Sequence, residues 1–64
     1  MHKKKMTVKQ MAEKIYVDSD GASASELASI VSRVMERNGD NPSDLELRKQ
    51  IGVEYKNLFR ASAA

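Results

Sequence analysis

Apolar residues recur along the chain at helical spacing in three places, with polar breaks between them. In the first, Val8, Met11, Ala12 and Ile15 follow steps of three and four. Thr7 with Gln10 three positions later has the spacing of a capping box, and Met6 with Met11 that of a hydrophobic staple. A helix is predicted from Val8 to Tyr16 or Val17, ended by Asp18-Ser19-Asp20-Gly21. The second pattern is the clearest. Leu27, Ile30, Val31, Val34 and Met35 make one continuous apolar stripe, while Arg33, Glu36 and Arg37 occupy other faces. Ser23 with Glu26 caps its start, and Asn38-Gly39 supplies a left-handed stop.

The third pattern opens on Pro42, with Ser43 as the expected cap and Glu46 completing its box. Leu45, Leu47 and Ile51 are its apolar positions. Gly52 then interrupts after two turns, and a fourth stretch runs from Glu54 to about Ser62, with the last residues fraying. No run of β-branched or aromatic residues alternates with period two, so no strand is predicted. The fold class is therefore all-α: three to four short helices around one core.

Composition narrows the picture. Sixty-four residues make one domain at most. Residues 1–6 are expected as a basic N-terminal arm and 7–62 as a single helical domain. With no cysteine, neither disulfides nor thiolate metal sites are available, and His2 is the sole histidine. No metal, cofactor or small-molecule ligand is expected. The absence of cysteine fits a cytoplasmic location. The lysine run at the start is followed by no apolar segment of signal-peptide type, and no membrane partner is expected.

Net charge is +2, unevenly spread. Residues 1–14 hold five lysines and one glutamate, 15–42 hold two basic and five acidic residues, and 43–64 hold four basic and three acidic. Basic ends around an acidic middle suggest a polyanion partner.

Catalysis lacks its parts. No cysteine nucleophile exists, no serine has a positioned histidine, and no glycine-rich phosphate loop appears. No catalytic residue is assigned, and the chain reads as a binding module. Asp18-x-Asp20-Gly21 does not make a calcium loop. Placing Gly21 at position 6 of an EF-hand puts Tyr16 at position 1 and Leu27 at position 12, where carboxylates are required.

The stretch Pro42 to Arg60 carries the functional reading. Leu47 and Ile51 face inward on a short support helix, Gly52 allows a tight turn, Val53 plugs the gap and Leu58 faces inward on the next helix. With Asn38-Gly39, Pro42-Ser43 and Gly52-Val53 as landmarks, residues 25–62 resemble the helix-turn-helix of bacterial repressors and plasmid regulators, in the trihelical pattern of LexA-like and KfrA-like proteins. Arg48 stands where those proteins usually carry a small residue, and Glu54 where they carry Ser or Thr.

The resemblance implies a helix-turn-helix at 43–62 and double-stranded DNA as partner, in a transcriptional, replication or partition regulator. Tyr55, Lys56, Phe59 and Arg60 would be exposed on the recognition helix, with Asn57 on its flank. Lysine, arginine and asparagine there would read base edges. Arg48 and Lys49 would touch phosphates, and Lys3, Lys4 and Lys5 would follow the backbone or a minor groove. One short helix reads few base pairs, so a homodimer on paired half-sites is expected, through the first helix or the Tyr55 and Phe59 pair. The alternative is a helical adaptor or inhibitor that binds a protein, with Asp18, Asp20, Glu26, Glu36 and Asp40 as its contact surface.

Overall fold

The computed structural model describes residues 5–63, which form three helices: α1 (Val8–Asp18), α2 (Ala24–Arg37) and α3 (Leu45–Ala63). No strand occurs among the described residues, so the chain is all-α there. Among the described residues, no helix is long and apolar enough to cross a membrane.

Two of the three expected capping boxes form. The Thr7 hydroxyl accepts from the Gln10 backbone while the Gln10 side chain accepts from the Thr7 N–H, and Ser23 and Glu26 repeat the arrangement on α2. Each box satisfies donors that a helix start otherwise leaves unpaired. The stop after α2 is also as expected. Gly39 sits at φ +83°. The Gly39 N–H reaches the Glu36 carbonyl at 3.0 Å, and the Asp40 N–H reaches that of Met35 at 2.9 Å. These two bonds make a Schellman motif.

Two expectations for the last third are corrected. The cap of α3 is Asp44 rather than Ser43: its carboxylate accepts from the Leu47 N–H at 3.1 Å. Ser43 lies in the preceding turn, where its N–H is held by the Asn41 side chain at 2.9 Å and the Asp44 N–H returns to the Asn41 carbonyl. Pro42, second in that turn, suits it because its φ is already fixed.

The larger correction concerns Gly52. The third and fourth helices are one, and α3 passes through Gly52 without a break. Gly52 does not take a positive φ. The turn that a helix-turn-helix at 43–62 requires is therefore not made there. The reason lies in the stripe Leu47, Ile51, Tyr55 and Leu58, spaced so that all four lie on one side of an unbroken helix. Ile51 is buried, and the other three are half-buried against the same core. Glycine inside a helix costs about 1 kcal/mol relative to alanine. A full apolar side chain buried contributes about 1.5–3 kcal/mol. Breaking the helix would strip Tyr55 and Leu58 from the core, so continuity wins. Val53, freed from its expected role as a plug, is exposed.

The core is small. Met11, Ala12 and Ile15 of α1 meet Val34 and Met35 of α2 and Ile51 of α3. Leu27, Ile30 and Val31 continue the α2 stripe around it. The first helix is the hub: it packs against both others, and more extensively against α3.

The segment before α1 is fastened to the far side of the chain. The Asn38 side-chain oxygen accepts from the Met6 N–H at 2.7 Å, and its amide donates to the Met6 carbonyl at 3.1 Å. The same amide reaches Asp40 at 2.9 Å. Lys5 pairs with Asp40 at 2.8 Å. Lys5 and Met6 thus belong to the folded body rather than to a separate arm.

Candidate nucleic-acid interface

Two stripes run along α3 on opposite sides. The inner one holds Leu47, Ile51, Tyr55 and Leu58. The outer one, at steps of four, three and four, holds Lys49, Val53, Lys56 and Arg60, all exposed. A helix rises 1.5 Å per residue, so the three cations span about 16 Å along one face. None of them has an ion-pair partner among the described residues. Glu46 lies at the edge of this face, near the start of the helix, where a carboxylate is favoured by the helix dipole. Asn57 is exposed beside the stripe and lies 3.5 Å from the Glu54 carboxylate.

The structure divides the residues singled out from the sequence. Lys49, Lys56, Asn57 and Arg60 come together on the outer side of α3. Arg48 does not join them. Its guanidinium donates to the Ser32 hydroxyl at 2.8 Å and to the Pro42 carbonyl at 3.0 Å, with a longer bond to the Ala28 carbonyl at 3.4 Å. It ties α3 to α2 and to the turn between them, and its donors are engaged there instead of facing a phosphate. A guanidinium on a long stem bridges two helices that a small residue would leave unlinked.

Tyr55 is also engaged inward. Its ring is half-buried, and its hydroxyl meets the Ser19 Oγ at 3.0 Å. It packs edge-to-face against Tyr16 and Phe59, with centroids 6.0 and 5.0 Å away. Phe59 contacts Tyr16 in the same way at 5.1 Å. Phe59 is neither core nor part of the outer stripe. It is half-exposed at the edge of an aromatic triad.

Lys5 is held by Asp40 as described. That pairing, with the Asn38 amide as second donor, keeps the Asp40 carboxyl below its ordinary pKa. Lys3 and Lys4 lie outside the described residues.

Two participants were missed by sequence reasoning. Ser19 is buried and closes α1, yet in Asp-Ser-Asp-Gly it reads as a solvated breaker. Asn38 reads as a helix stop, which it is, but its bonds to Met6 leave no periodic trace. No protein-family model, curated protein or solved structure matches the chain.

Proposed function

We propose that this protein is a small regulatory DNA-binding protein that lays the outer face of α3 against a duplex. The observation that carries the reading is the row Lys49, Lys56 and Arg60, three cations on one exposed helical face without a carboxylate partner among the described residues. The major groove admits one α-helix, and arginine or lysine can reach guanine edges there. Asn57, at the margin, is suited to adenine. Val53, between the cations, offers an apolar contact for a thymine methyl group. In this reading α3 enters the groove as one helix, in keeping with its passage through Gly52 without a break. Two copies on paired half-sites complete the reading, because three or four side chains specify few base pairs.

The test is fluorescence anisotropy with a labelled random duplex at about 50 and 200 mM salt. On a random duplex the three cations meet phosphates rather than particular bases, and three phosphate contacts give a log–log slope of about −2.7, so affinity should fall about fortyfold across that fourfold change. The Lys49→Ala/Lys56→Ala/Arg60→Ala variant should lose both the binding and the slope while keeping its helical spectrum, since all three side chains are exposed. Absence of binding at the lower salt would overturn the reading.

A further inference from the structure

The aromatic triad borders a cleft of about 400 Å³ between the end of α1 and the C-terminal half of α3. That is within the range of about 300–1,000 Å³ usual for small-ligand sites. Tyr16, Tyr55 and Phe59 form one wall, and Asp20, Gly21 and Ala22 the other. Phe59 keeps 51% of its surface in solvent, so part of its π-system is open. Gly21, at φ +77°, turns the chain at the cleft, and nothing lies within 4 Å of where a Cβ would stand there.

The charge of the cleft has one sign. Asp20 is its only carboxylate and no basic residue lines it, among the described residues. The neighbouring Asp18 is answered by Lys14 at 3.6 Å, but Asp20 has no hydrogen-bond or ion-pair partner among the described residues. An apolar occupant would cover that carboxylate without pairing it, which is unfavourable. An anion would be repelled. A cation satisfies both walls at once: aromatic faces attract it through their quadrupole, and the carboxylate pairs with it. Among cationic side chains, the planar guanidinium both stacks on rings and offers a fork of donors to a carboxylate, whereas an ammonium offers only a point charge.

We propose that this cleft binds an arginine side chain of a basic partner peptide, with the guanidinium against the exposed Phe59 ring and its donors on the Asp20 carboxylate. The site lies on a different face from the Lys49–Arg60 stripe, and duplex binding and arginine binding are separately measurable.

Backbone-amide NMR of the 64-residue chain, titrated with acetyl-Gly-Arg-Gly-amide and with its citrulline counterpart, tests the proposal. Citrulline keeps the shape and removes the charge. Saturable shifts should centre on Gly21, Ala22 and Phe59, with the citrulline peptide weaker by about fivefold or more. Asp20→Asn should bring the arginine peptide down to about the citrulline level, and Phe59→Leu should weaken it about threefold. Both side chains are exposed, so both variants retain the fold. Equal binding of the two peptides overturns the proposal, as does equal binding of acetyl-Gly-Leu-Gly-amide. Absence of shifts up to about 20 mM peptide, far weaker than a millimolar complex, overturns it too. So do shifts of the same amides that grow with protein concentration alone, because the occupant would then be a second copy.

Discussion

Gly39 and Gly52 stand at two places where the chain can either turn or continue, and it does one thing at each. At residues 38–44 it turns. Gly39 takes a positive φ, two backbone bonds close the Schellman motif, Asn41 and Asp44 accept from the N–H groups of Ser43 and Leu47, and Asn38 holds the Met6 backbone against the turn. At residues 50–54 it continues. The neighbours of Gly52 are Ile51, which needs the helix to reach the core, and exposed Val53, which offers the backbone no polar partner. Glycine permits a turn in both places. Short polar side chains that take over the backbone's hydrogen bonds make the turn favourable in only one.

The largest test of this contrast is Asn38→Ala. It removes both bonds to Met6 and leaves a part-buried N–H without its acceptor, at a cost of about 1–3 kcal/mol. In a domain this small, thermal unfolding should fall by roughly 10 °C. A change within error would mean that the corner holds without its side chains. Next comes the glycine pair, where opposite signs are expected. Gly39→Ala forces a Cβ into the left-handed region and should destabilise by about 1–2 kcal/mol. Gly52→Ala should stabilise by about 0.5–1 kcal/mol, since nothing lies within 4 Å of the added carbon and alanine favours helix. Urea midpoints of the two variants would decide it, and a destabilising Gly52→Ala would restore a turn at that position.

The smallest effect is the response to acid. The folded-state pKa of Asp40 is depressed, chiefly by the Lys5 hydrogen bond and then by that of Asn38. Its contribution is therefore present at pH above the unfolded carboxyl value and is lost as pH falls through the lower folded value. The Met6 and Asp40 amides should shift together below about pH 4, the ordinary range of an aspartate. In Lys5→Ala that titration should move upward.

The same contrast explains what the sequence discloses. The starts of α1 and α2, the stripe of α2 and its stop are local patterns within a few residues, and each is legible. The continuity of α3 is equally local, written in the stripe from Leu47 to Leu58, and the lone Gly52 within that stripe obscures it. Of the candidate interface, Lys49, Lys56, Asn57 and Arg60 follow from helical spacing alone. The inward roles of Arg48 and Tyr55 do not, because their partners Ser32 and Ser19 lie 16 and 36 residues away. The Asn38–Met6 bonds span 32. Such pairings arise only when the helices have docked, and no short window of sequence carries them.

The dominance of α1–α3 packing has a consequence for synthesis. On a ribosome, α1 emerges before α3, so Met11 and Ile15 appear well ahead of Ile51, Tyr55 and Leu58. Until those three do, Met11 and Ile15 have only α2 against them. The nascent chain therefore passes through a two-helix stage with an open apolar seam, and closes only when α3 is released. Completion of this core waits on α3, because its contacts with α1 join residues far apart in the chain.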